Sequence, residues 1–169
     1  MNNIVLNRYD IQAYEMAVSK SDGQAVIYDR DSEHIYSVTV NKNLSRPDEK
    51  VKEVVINTVK LSTFIEKESL EKIDLIKLDV ETHEAEVLKG MENYLARFTP
   101  TFLIEILTQE VAKEVNKLFS GLGYLFFDID EIGAPKQVPS IERSSYFNYL
   151  VCQPRVATSL GLKFEVFTT

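Results

Sequence analysis

From residue 60 onward the chain alternates between helical and strand periodicity, and this alternation constrains its fold more than any other feature. Phe64, Ile65 and Leu70 give the apolar face of a short helix over 63–70, and Ile73 to Asp79 read as a buried strand. Ala85, Val87, Leu88, Met91, Tyr94 and Leu95 then fall at helical spacing, predicting one amphipathic helix to about Arg97, stopped by Pro100. The run TFLIEIL (101–107) predicts a strand, 109–119 a helix closed by Gly121, 124–129 a strand, Gly133 to Pro135 a loop, and YFNYLVC (146–152) a further strand. Such an order predicts an α/β fold with a mostly parallel sheet covered on both faces. Upstream, 11–18 and 25–28 read as a hairpin, 29–52 as a polar loop with one short strand at 35–40, and EVVINTV (53–59) as a strand. Residues 153–169 read as a tail with a last strand at 164–167. At 169 residues the chain suits one domain.

Charge narrows the partners. The chain has 26 acidic and 19 basic side chains, net charge -7, which argues against a nucleic-acid backbone or an anionic membrane as partner. No run approaches the roughly 18 apolar residues of a membrane span, and MNNIVLNRYD lacks the basic and apolar regions of a signal peptide. These features predict a cytoplasmic protein. Cys152, the single cysteine, lies in an apolar run and is expected to pack as a small hydrophobe.

The chemistry concentrates in IDLIKLDVETHEAEVLKG (73–90), where Asp79, Glu81, His83, Glu84 and Glu86 crowd the end of the most hydrophobic strand. In an open parallel sheet, ligands sit outside the carboxyl ends of strands, which makes Asp79 a functional candidate. Glu84 and Glu86 are accounted for by the helix dipole, which favours acidic residues in a first turn. His83 has the pKa range of a general base, with a surface helix position as its structural alternative. Asp79, Glu81 and His83 are too close in sequence to converge easily on a metal, so no metal site is expected.

The same stretch, with FTPTFLIEI after it, resembles the signature of FkbM-type methyltransferases, which runs close to I-D-L-I-K-I-D-V-E-G-x-E-x-x-V-L-K-G and then P-x-x-x-x-E-I. MAVSKSDGQAVIY (16–28), INTVKLSTFI (56–65), LGY (122–124) and YFNYLV (146–151) fit weaker segments of the family in the same order. The resemblance implies a Rossmann-like class I methyltransferase sheet and S-adenosylmethionine-dependent O-methylation of a hydroxyl on a sugar or other small metabolite. It implies Asp79 and His83 as catalytic residues and Ala17, Val18, Asp79 and Glu81 as cofactor-binding residues.

The chain departs from that pattern twice. Thr82 stands where the family has glycine, so either the turn is not left-handed there or the helix starts one residue early. There is also no glycine-rich turn between a strand and a following helix, and alignment by resemblance places residue 1 after the family's second strand, with NNIVLNRYD as the helix that follows. The expectation is a partial methyltransferase domain over 1–169, lacking the first two strands at the centre of the sheet. The alternative is a non-catalytic α/β interaction module derived from a methyltransferase, self-associating or pairing with a complete one.

Overall fold

The computed structural model describes residues 2–30, 51–130 and 132–166. Two sheets organise them. The smaller contains β1 (Ala17–Ser19), β2 (Gly23–Arg30) and β3 (Val51–Lys60) in the order β1-β3-β2. The larger contains β4 (Leu75–Leu78), β5 (Thr101–Glu105), β6 (Leu125–Asp128), β7 (Lys136–Val138) and β8 (Asn148–Cys152) in the order β4-β5-β8-β6-β7. Helices α1 (Asn2–Asn7), α2 (Leu61–Lys67), α3 (Glu84–Lys89), α4 (Tyr94–Phe98), α5 (Gln109–Phe119) and α6 (Pro154–Ser159) complete the described elements.

The fold is α/β, as the periodicity predicts, but its sheets are mixed rather than mostly parallel. Only β1–β3 and β4–β5 are parallel pairs among the described strands; β2–β3, β5–β8, β6–β8 and β6–β7 are antiparallel. The long segment before β8 brings that strand back between β5 and β6 against their direction. Asn116 pins this segment by donating to Ile141 O at 2.8 Å and accepting from Ile141 N at 3.0 Å. The Tyr149 hydroxyl donates to Glu142 O at 2.6 Å.

The expected hairpin between 11–18 and 25–28 does not form, because β1 and β2 flank β3 instead of each other. Asp22 explains why: its carboxylate accepts from Lys60 N and from the Thr63 hydroxyl, each at 2.8 Å, tying the turn to the β3–α2 junction. The polar stretch 29–52 proves to hold the end of β2 and the start of β3, and its expected short strand at 35–40 lies outside the described residues.

One face of the large sheet carries Leu78, Phe102, Ile104, Tyr149 and Val151, packed with Ala85, Val87 and Leu88 of α3 and Ala112, Val115 and Phe119 of α5. Helix α5 follows its sequence signals closely: the Thr108 side chain accepts from Val111 N, Glu110 sits in the first turn and Lys117 in the last. The other face buries Leu125, Phe127, Leu150 and Cys152 beneath Ala157 of α6. That helix, begun by Pro154, and strand β7 are absent from the sequence reading; the strand expected at the tail is not formed over 164–166. Cys152 is fully buried and its thiol is pushed up to about 11 by desolvation, in line with a packing role.

Two further expectations fail. Strand β4 is not buried on both faces: it is an edge strand, with Leu75 55% exposed and Lys77 also facing solvent. The single helix expected to Arg97 is broken into α3 and α4, because Gly90 ends α3 and Glu92 takes a φ of 53°.

Candidate functional site

The parallel pairing of β4 and β5 sets Leu78 beside Ile104 and so carries Asp79 and Glu105, which end or follow these strands, to the same edge of the sheet. The Asp79 carboxylate lies near enough to act electrostatically on the Glu105 carboxyl. Burial, and then the neighbouring Asp79 charge, hold the Glu105 carboxyl above the ordinary range, with Glu81 adding in the same direction. Lys77 forms an ion pair with Asp79, whose side chain is 43% exposed. Asn148, at the start of β8, lies opposite Glu105 on the neighbouring strand. Sequence reasoning singles out Asp79 but misses Glu105. The strand signature FLIEI contains it, yet only the register shows that it meets Asp79.

The loop from Asp79 to His83 is held from beneath by Glu84. This side chain is fully buried, and its Oε1 accepts from Val80 N and Thr82 N, both at 3.3 Å. Its Oε2 has no hydrogen-bond partner among the described residues. Burial raises the Glu84 carboxyl, opposed by the backbone N–H groups that favour its charged form. Glu84 does sit in the first turn of α3, and beyond the helix dipole it also organises the loop. Glu86 differs, since it is partly exposed and paired with Lys20 at 2.7 Å and Lys89 at 2.8 Å.

Two left-handed residues in succession form the turn, Glu81 at φ 53° and Thr82 at φ 76°. Neither sequence alternative for Thr82 holds: the turn is left-handed there, and α3 begins only at Glu84, after His83 as its N-cap. A β-branched side chain in this region carries roughly 1–3 kcal/mol of strain. Thr82→Gly removes the strain but adds about 0.5–1 kcal/mol of chain entropy to the unfolded state. The variant is expected to be more stable by about 1 kcal/mol, read as a higher urea midpoint with an unchanged slope; a lower midpoint would contradict the strain.

His83 connects the two sheets. Its Nε2 and Ser19 Oγ lie 2.9 Å apart in a hydrogen bond, so the end of β1 meets the loop after β4. Burial lowers the His83 pKa, partly offset by the Glu86 charge, which favours a neutral ring at neutral pH. Val18 packs against the main core, and Ala17 lines an open groove of about 620 Å³ with Tyr14 and Met16 beside β3. Neither Asp79 nor His83 lines that groove.

Among the described residues, no group of three or more His, Cys, Asp or Glu side chains is placed to hold a metal ion, and no helix is long and apolar enough to cross a membrane. A family model described as the methyltransferase FkbM domain matches residues 2–126. No curated protein and no solved structure matches the chain.

Proposed function

Because this chain belongs to the FkbM methyltransferase domain family, we propose that it takes part in methyl transfer from S-adenosylmethionine to a hydroxyl group of a sugar or other small metabolite. The Asp79–Glu105 carboxyl pair at neighbouring parallel strand ends, inside the matched segment, carries this reading.

The residues fit one end of the cofactor. When bound, S-adenosylmethionine supplies a methyl group on a cationic sulfonium, and two partly exposed carboxyl groups suit a cation or a hydroxyl donor. The nucleoside end calls for close backbone approach at a strand-to-helix turn. The described left-handed glycines at 23, 121, 123 and 161 stand at other kinds of turn, so the fit is to the sulfonium and acceptor end alone.

In this reading the acceptor hydroxyl donates to Asp79, and its proton passes to the carboxyl pair. Glu105, with its raised pKa, retains that proton at a pH where an ordinary carboxyl group releases it. Glu84 and the Ser19–His83 bond hold the loop that aims Asp79. His83 thus acts by positioning, since Nε2 is already engaged.

A second reading, a non-catalytic α/β module, draws on the strand edges. Among the described strands, β1 and β4 each have a partner on one side only, and an open edge can accept another strand. Calorimetric titration of the full chain with S-adenosylhomocysteine separates the two. The catalytic reading expects saturable micromolar binding, weakened about tenfold or more by Asp79→Ala. It expects Glu105→Gln to keep most of the binding while methyl transfer falls about 100-fold. A folded protein that gives no binding heat would leave the module reading standing.

A further inference from the structure

A second concave site lies at the other end of the large sheet. The register places Glu105 opposite Asn148 at one end of β8 and Leu125 opposite Cys152 at the other, so the start of β6 is remote from Asp79 and Glu105. There the C-terminal end of α5, the start of β6 and the end of β7 enclose a cavity of about 440 Å³. This is within the roughly 300–1,000 Å³ of small-molecule sites.

The lining determines the chemistry. Phe119, Tyr124 and Phe126 form an aromatic wall, with Phe119 and Tyr124 packed edge to face at 4.8 Å. No lining residue carries a charge, in a chain of which 27% is charged. The Tyr124 hydroxyl is spent on Pro100 O at 2.8 Å, and burial raises its pKa further from neutrality. Ser120 and Ser140 are among the residues that line the cavity. The last turn of α5 ends at the same wall, and helix carbonyls there carry a partial negative charge that attracts donors and repels anions. Gly121, at φ 74°, leaves the mouth open: a Cβ there would meet nothing within 4 Å.

We propose that this cavity is a binding site for a small, uncharged, planar ring compound carrying a hydrogen-bond donor, separate from the Asp79–Glu105 edge. The aromatic wall selects the ring, the uncharged lining selects neutrality, and the serine hydroxyls and helix carbonyls receive the donor.

Indole is the probe, with benzoate as an anionic ring of similar size. Titrated into the isotopically labelled full chain, indole should shift the amide resonances of Gly121, Gly123 and Ser140 saturably, with benzoate binding at least about tenfold more weakly. Ser120→Trp and Ser140→Phe, which add bulk at two lining positions, should each weaken indole by about tenfold or more while the remaining resonances hold their positions. The proposal is overturned if the indole shifts fail to saturate, if benzoate binds equally well, or if neither filling variant that folds weakens indole.

Discussion

Gly90→Ala is expected to lower the stability of this protein by about 2 kcal/mol or more, against the sign that local helix propensity alone predicts. Gly90 sits at φ -68° and ψ -14°, a right-handed conformation any residue adopts, and alanine there gains about 0.5–1 kcal/mol from a less flexible unfolded chain. The obstacle is tertiary. A Cβ at this position would lie 2.2 Å from the Ser19 carbonyl oxygen and 3.2 Å from the Ser19 carbonyl carbon. Both are backbone atoms, so no rotamer change relieves the overlap. The neighbourhood is also held on the other side, where Ser62 N donates to Gly90 O at 2.8 Å. Overpacking of this kind costs typically about 1–3 kcal/mol and more where the backbone must move, which outweighs the entropy gain. Urea denaturation of the variant should show a lower midpoint. Ser19→Ala in the same chain should not restore it, because the clash is with the carbonyl and not the hydroxyl. A Gly90→Ala protein more stable than the parent would show that β1 does not rest on the end of α3.

Replacing Glu84 should have the next largest effect, with opposite signs for two substitutions. Glu84→Ala removes the acceptor of Val80 N and Thr82 N and leaves a void where a fully buried side chain stood, a loss of about 2–4 kcal/mol. Glu84→Gln keeps an acceptor oxygen and removes the buried charge. Because burial raises the folded-state pKa above the ordinary carboxyl value of 4.5, the folded protein binds this proton more tightly than the unfolded one. The associated stability is fully present below pH 4.5 and is lost as pH rises through the folded-state pKa. Parent and Glu84→Gln should therefore be similar in acid, and the glutamine variant should gain relative to the parent toward neutral pH. Denaturation midpoints measured for both proteins across that range check the sign. A parent that gained on the variant with rising pH would mean that the two N–H bonds outweigh burial.

Much of this architecture was legible in the residues. Helix α5 was readable to both ends because its apolar spacing and the glycine beyond it agree. The large-sheet strands β4, β5, β6 and β8 were recognisable as apolar runs, although direction and neighbours were not. The short strand β7, KQV, carries no apolar pattern and exists because β6 offers it an edge. Asp79 stood out as an ionisable residue at a strand end. Glu105 and Ser19 did not, since each matters only through a partner distant in sequence.

The sequence by itself determined that the chain is α/β, where most of its helices and strands lie, and where the acidic turn after β4 lies. Those properties follow from side-chain periodicity and local capping, interactions that span a few residues. The tertiary structure alone decided that the sheets are mixed, that β4 is an edge, that Asp79 meets Glu105, and that Thr82 is forced into a left-handed turn above a buried Glu84. Each depends on strand register or on packing between distant segments. A strand's own pattern records which face is apolar, but not which strand lies beside it.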